Sequence, residues 1–440
     1  MIKPRLSSML RRGVSEIIVE QELLELLKKD KPLRLKQGFD PSRSDIHLGH
    51  VVGLKKLRQF QELGHQIVLI VGDWTAQIGD PSGRSVMRTM LSAEEVRANA
   101  ETYMQQFFKV IDKAKTEVRW QSEWFGDFGL SDVIKLTNKF TVAQMLARDD
   151  FSKRYVAGNP IAITELIYPL LTAYDSVVIK SDVEFGGIDQ KFNCLVGREL
   201  QEMDGQKPQH VLLMPLLVGT DGSQKMSKSL NNYIALNDPP NDMYGKVMSI
   251  PDNLIMNYFE LVTDVSDEEL LEFRSQLESQ SINPMVLKKR LAQEIVTQFH
   301  DASVAQDAGN YFASLFQKNE LPDDIPEYYL PIHKIQTESF LKEVNSGKDP
   351  SEALDAVQKQ SKNTKRSSAQ SISVNIIDLL AATGLTSSKG EAKRMLAQGA
   401  VEIDGKKINE NTPAEIQNNS IVRVGKRRFV KLVDANRSLL

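Results

Sequence analysis

One cysteine in 440 residues, Cys194, excludes an internal disulfide, and with only six histidines leaves little material for a structural zinc site. Long apolar runs are missing too. The longest, residues 67–71 and 211–213, are far too short to cross a bilayer, so no membrane partner is expected. The first residues lack the apolar core of a secretion signal. Their four basic residues, three serines and no acid within positions 1–15 have a transit-peptide flavour, but an amphipathic stretch at 17–27 follows at once, and the cytoplasm is the expected location. Aromatics make up 7% and charged residues 26%, against 41% hydrophobic, which excludes collagenous, coiled-coil and disordered classes. What remains is a globular chain long enough for about three domains.

Charge is present but unevenly placed. The net of −3 conceals a segment, 361–440, with 14 Lys and Arg against 7 Asp and Glu, while the rest carries −10. An acidic body with a basic end suggests a polyanionic partner reached through the C-terminal part.

Residues 33–39 (LRLKQGF) read as a strand ended by Asp40-Pro41. A helical period follows through Leu48, Val51, Leu54, Leu57 and Phe60, closed by Gly64, and then comes the buried-strand pattern of 67–71. Strand, helix and strand in about forty residues form a βαβ unit, hence a doubly wound parallel sheet. A second buried strand is expected at 211–218, with 85–205 mostly helical between. Beyond Pro239-Pro240 the pattern is helical and acidic to about Phe316. Residues 335–372, rich in Ser, Lys, Gln and Asn, read as a linker with one short helix. Order returns at Ile376; Ser388 and Glu391 form a capping box, and 401–408 a hairpin turning at Asp404-Gly405.

Two segments carry chemistry. The first, DPSRSDIHLGH from Asp40, lies between a strand and a helix, on the sheet edge where open α/β folds bind ligands. His47 and His50, three apart at the helix start, face one way, and Gly49 between them admits a phosphate or a flat ring close to the backbone. Unpaired N–H groups at that helix end favour anions. No HExxH accompanies them, and no metal site is expected among these side chains. The second is KMSKS at 225–229, after the glycine-bearing loop 219–222. Two lysines with hydroxyls between them suit the β- and γ-phosphates of a nucleotide and the charge growing on a pyrophosphate leaving group. Alone, such a loop is usually only solvated, and two histidines at a helix start often only cap it.

HLGH followed 175 residues later by KMSKS resembles the signature pair of class I aminoacyl-tRNA synthetases. GFDPSRSDIHLGH (38–50), IGDPSGR (78–84), YPLLTAYDS (168–176) and GGIDQKFN (186–193) resemble tyrosyl-tRNA synthetases in particular. The basic segment with Gly384, Ser388, Glu391, Gly399, Val401 and Gly405 is similar to the small RNA-binding fold appended to the bacterial enzymes.

That resemblance implies a Rossmann-like α/β catalytic domain, an all-helical domain and a small α+β RNA-binding domain. Their expected limits are an N-terminal helical segment 1–30, the catalytic domain with a helical dimerisation insert 31–238, a helical domain contacting the anticodon stem 239–334, the linker 335–372 and the RNA-binding domain 373–440. It implies tyrosine, ATP with Mg²⁺, and tRNA(Tyr) as ligands, and a homodimer through the insert near 120–190. Trp120, Trp124 and Phe125 there are either interface or ordinary core.

The reaction implied is attack of the tyrosine carboxylate on the α-phosphate of ATP, then transfer of tyrosine to the terminal ribose of tRNA. No covalent enzyme intermediate is needed, so orientation and electrostatics must supply the acceleration. His47, His50, Lys225 and Lys228 are the implied catalytic residues. Asp40, Gly49, Asp189 and Met226 join His47, His50 and Lys228 around ATP, with Asp189 at the ribose. Asp175 would accept the tyrosine hydroxyl, Tyr168 and Asp80 would hold the ammonium, and Gln190 lies beside the carboxylate. Two positions depart from the family pattern: Lys36 replaces a tyrosine, and Thr172 a glutamine. Lys36 is expected either to pair with Asp175 or to point away. RNA contact falls to Lys389, Lys393, Arg394, Lys406, Lys426, Arg427 and Arg428. Rival readings are a small-molecule nucleotidyltransferase, which also uses HxGH, a neighbouring synthetase specificity such as tryptophan, and an RNA-binding protein on a decayed synthetase fold.

Overall fold

The structure is a computed structural model that describes residues 4–29, 31–82, 90–315, 325–332, 334–360, 371–408, 413–425 and 428–435. It divides into two compact units, 1–309 and 310–440.

The first unit is built on a six-stranded sheet of β1 (Glu16–Ile18), β2 (Arg34–Phe39), β3 (Gln66–Val71), β4 (Thr116–Trp120), β5 (Val183–Gly187) and β6 (His210–Met214), in the order β1-β6-β5-β2-β3-β4. All pairs are parallel except β1, which lies antiparallel on β6. The chain winds from β2 out to β4, returns to β5 on the other side of β2, and ends at β6. The β2/β5 boundary is therefore the switch point where doubly wound sheets open a ligand crevice.

β3 and β6 are apolar along their length because both faces are covered by helices. β6 stops at Met214, short of the expected Val218, since Pro215 lacks the N–H a ladder needs. β4 and β5 fall inside the stretch read as helical. β4 is half-buried with charged residues, and β5 is five residues long, so neither has a strand-like apolar signature. The N-terminal segment likewise holds strand β1 between its two short helices.

Five helices follow the sheet, Pro240–Met248, Ile255–Val262, Asp267–Glu278, Pro284–Phe299 and Ala302–Ala313, matching the helical acidic texture of that stretch. No helix among the described residues is long and apolar enough to cross a membrane.

The second unit contains a five-stranded sheet and a two-stranded sheet. The expected hairpin is present, with Ile403 opposite Lys406 and positive φ at Asp404 and Gly405, as a tight two-residue turn requires. Ser388 Oγ accepts from the Glu391 N–H as a cap should, but the Glu391 carboxylate reaches back to Ser387 rather than Ser388. The linker reading of 335–372 does not hold for its described part. Helices Lys334–Asn345 and Pro350–Gln360 occupy it, and Phe340, Leu341, Ala353 and Val357 are buried in the core of this unit. Polar composition hid a sparse apolar stripe with helical spacing.

Candidate active site

The helix Leu48–Gln61 starts where β2 ends, and His47 is its N-cap. His47 Nδ1 accepts from the Gly49 N–H at 3.2 Å, so the neutral ring carries its proton on Nε2. His50 Nδ1 lies 3.2 Å from the His47 N–H, and the two ring centroids are 4.1 Å apart. Burial, with Lys228 and the paired ring adding to it, holds His47 well below the usual histidine range, and burial and Lys228 bring His50 to about 4. Both are neutral donors at pH 7. A Cβ on Gly49 would sit 2.9 Å from His47 Nδ1 and 3.8 Å from Met226 Cβ, so glycine is what lets the backbone fit beneath the ring.

The strip 234–236 pairs back onto 46–48, with Leu48 N–H donating to Ile234 C=O at 3.0 Å and Leu236 N–H to Ile46 C=O at 3.1 Å. This long-range pairing brings the KMSKS loop over the histidines. Lys225 Nζ lies 2.9 Å from Asp189 Oδ2. Lys228 instead packs on Tyr103, with Nζ 3.4 Å from the phenol oxygen and 5.2 Å from the ring centre. Burial lowers its pKa to about 8.

These elements enclose a cleft of about 590 Å³ at the β2/β5 switch point. It is lined by Lys36, Asp40, His47, Gly49, His50, Asp80, Tyr168, Thr172, Asp175, Asp189, Gln190, Lys225 and Met226, which is every catalytic, nucleotide and tyrosine residue expected except Lys228.

The deep end is densely bonded. Tyr168 donates to Asp40 Oδ2 at 2.9 Å, while Thr75 Oγ1 lies 2.7 Å from Asp40 Oδ1. A Cβ on Gly72 would stand 2.3 Å from both Asp40 Oδ1 and Thr75 Oγ1, so no larger residue fits there. Gln190 donates to Asp80 Oδ2 at 2.7 Å, Asn193 donates to Gln190 at 2.8 Å, and the buried Arg148 reaches Ser82 and Asn193. Thr172 turns its hydroxyl to the Pro169 carbonyl at 3.0 Å within its own helix.

Asp175 is 2% exposed and accepts from Gln121 Nε2 at 2.9 Å and Trp124 Nε1 at 3.2 Å. Burial raises its pKa to about 7; Lys36 and the Gln121 bond restrain the rise, and Glu184 adds to it. Lys36 makes no hydrogen bond to Asp175. It pairs with Glu184 at 2.8 Å instead, as its direct neighbour across β2 and β5. Residue reading missed Glu184, Gln121, Thr75, Arg148 and Tyr103. For Glu184 a signal existed: an acid inside one buried strand and a lysine inside another leave each as the other's natural partner. Gln121 and Thr75 carried none.

Trp124 and Phe125 are buried with Val68, Ile70 and Ile179, so they are core; Trp120 is half-buried. In the second unit Lys393, Arg394 and Lys406 are exposed and make no ion pair among the described residues. Lys389 pairs with Asp378 at 2.7 Å, and Arg428 with Glu391 at 2.9 Å. Lys426 and Arg427 lie outside the described residues.

The family model for class I tRNA synthetases (W and Y) matches residues 28–317. The tyrosine–tRNA ligase of Dehalococcoides mccartyi strain CBDB1 is 56% identical over 430 residues, 98% of each chain. The chain belongs to the tyrosine–tRNA ligase family. The corresponding ligase of Thermotoga maritima is 48% identical over 96% of each chain. A model for the tyrosine–tRNA ligase SYY-like C-terminal domain matches residues 356–432. The fold is shared with the tyrosyl-tRNA synthetase of Archaeoglobus fulgidus, solved with L-tyrosine, at a TM-score of 0.58 and 24% identity, covering 70% of this chain and 100% of that one. As a ligase of this family the chain is an ATP-using aminoacyl-tRNA synthetase, neither a small-molecule nucleotidyltransferase nor a decayed RNA-binding relic.

Proposed function

We propose that the cleft divides the tyrosine–tRNA ligase reaction between a buried amino-acid end and an open phosphate end. The carrying observation is that HLGH and KMSKS face each other across a single cleft whose floor is Asp175. Tyrosine enters with its hydroxyl donating to Asp175 and its ammonium near Tyr168 and Asp80, with Gln190 beside its carboxylate. Thr172, bonded within its helix, contributes wall rather than a polar contact.

ATP lies along the Leu48–Gln61 helix start, with Asp40, Gly49 and Met226 against it and Asp189 at the ribose. The carboxylate oxygen bonds to the α-phosphorus as its bond to the bridging oxygen breaks, and pyrophosphate leaves. Neutral His47 and His50 offer donors to the charge that builds there, and Lys225 and Lys228 close over the departing phosphates. For this Lys225 must exchange Asp189 for phosphate, and Lys228 must leave Tyr103. Mg²⁺ would accompany ATP as a counter-ion to its phosphates. The terminal ribose hydroxyl of tRNA(Tyr) then takes the tyrosyl group, and AMP leaves.

Exposed Lys393, Arg394 and Lys406 support RNA contact by the C-terminal unit, with Lys389, Lys426, Arg427 and Arg428 contributing to the same basic surface. Leu130 at 77%, Val156 at 83% and Ile163 at 76% exposure, with Ile134, Val142 and Tyr155, support a homodimer through the insert. We place the enzyme in the cytoplasm. The test is ATP–pyrophosphate exchange with tyrosine, phenylalanine and tryptophan offered separately. Exchange with tyrosine alone is expected; exchange driven by another amino acid, or by none, overturns the reading.

A further inference from the structure

Lys36 is a buried cation in the floor of the cleft, 1% exposed in the middle of β2. Its ammonium has three donors, and all three are used: the Thr172 carbonyl at 2.7 Å, Ser176 Oγ at 2.8 Å and Glu184 Oε1 at 2.8 Å. No donor is left for a substrate phenol. Burial works against its charge, but Glu184, with Asp175 behind it, more than offsets this and holds its pKa above the ordinary value. The other oxygen of Glu184 accepts from Gln209. Asp175, by contrast, has neutral partners only, one N–H on each oxygen, and retains acceptor capacity facing the cleft.

Around Asp175 the arrangement is thus one lysine shared by two carboxylates, with the lysine bonded to Glu184 and not to Asp175. Asp175 feels that lysine through space. Of the other ionisable groups around this end, the Cys194 thiol and the Tyr168 phenol are held protonated by burial and neighbouring carboxylates, and Asp40, Asp80 and Arg148 stand around Tyr168.

We propose that the Lys36–Glu184 ion pair is a positioning element that sets the charge on Asp175, and through it the preference for tyrosine over phenylalanine, without bonding to the amino acid. This rests on the reading of Asp175 as the phenol acceptor. An ionised Asp175 needs a donor, which tyrosine supplies and phenylalanine does not. A protonated Asp175 accepts more weakly and tolerates the analogue. Lys36 favours ionisation and Glu184 opposes it, so the two halves of one ion pair push selectivity in opposite directions. A purely structural pair does not behave this way, since breaking it from either side does the same damage.

The experiment is the ratio of kcat/KM for tyrosine to that for phenylalanine in ATP–pyrophosphate exchange, from pH 5.5 to 8.5. Taking the ratio cancels titrations at the phosphate end. Asp175 titrates at about 7 in the empty cleft, so the wild-type ratio should fall as pH drops through that region. Lys36→Met should raise the midpoint by about one unit, a loss of roughly fivefold at pH 7 that is recovered at higher pH. Glu184→Gln should lower the midpoint, and Lys36→Arg should keep the wild-type profile. Shifts of Lys36→Met and Glu184→Gln in the same direction, or no shift in either, overturn the proposal. Should Lys36→Met fail to fold, Glu184→Gln decides alone, with an unmoved or raised midpoint overturning it. Asp175→Asn separates the two levels. It should abolish the pH dependence of the ratio, and if it instead keeps wild-type selectivity and midpoint, the acceptor reading itself falls.

Discussion

The two ends of the cleft are built from opposite materials. At the deep end, read as the amino-acid site, Lys36 has a side chain 1% exposed, pinned by three acceptors; at the open end, read as the phosphate site, Lys225 is 43% exposed and paired with Asp189. The first arrangement is costly to desolvate and held from three sides, which suits the selective role proposed for that end. The second is weakly held by an exposed ion pair of small worth, so it can exchange a carboxylate for a phosphate as the loop closes.

The contrast predicts how variants divide. His50→Ala should have the largest effect, lowering kcat by about 10²–10³ through loss of a donor to the transition state. Its tyrosine KM should stay nearly constant, and a KM change as large as the kcat change would break the division. Asp175→Ala should come next, with kcat/KM for tyrosine down about 100-fold from a lost charged hydrogen bond and phenylalanine little affected. Thermal unfolding of that variant should also fall, because Gln121 and Trp124 lose their acceptor.

The smallest effect belongs to the loop. Lys228 loses its proton near pH 8 in the resting enzyme, so its attraction for phosphate is complete below that pH and fades above it. KM for ATP should therefore rise on the order of threefold between pH 7.5 and 9, and the rise should vanish in Lys228→Gln. An equal rise in the KM for tyrosine would tie the two ends together rather than separate them.

Much of the site was legible because its signals are local. HLGH places two rings on one helix turn, KMSKS places two lysines on one loop, and both are short enough to survive without knowledge of the fold. The cleft gathers these and the tyrosine residues as the family resemblance implied, apart from Lys228, which rests on Tyr103 outside it. Thr172 stands where the family pattern has a glutamine, but its hydroxyl is taken by its own helix, as threonines within helices often bond back to a carbonyl one turn earlier. β4 and β5 escaped notice because half-burial and brevity erase periodicity. The helices at Lys334–Asn345 and Pro350–Gln360 escaped because composition was weighed above spacing.

The sequence by itself determined the parallel α/β core, the motif pair and the family, since each is written within one turn, one strand or one loop. Only the tertiary structure decided which partner Lys36 takes, that burial raises the pKa of Asp175, and that Trp124 is core bonded to that carboxylate. Those depend on segments far apart in the chain meeting at the switch point, where burial decides protonation and proximity decides pairing.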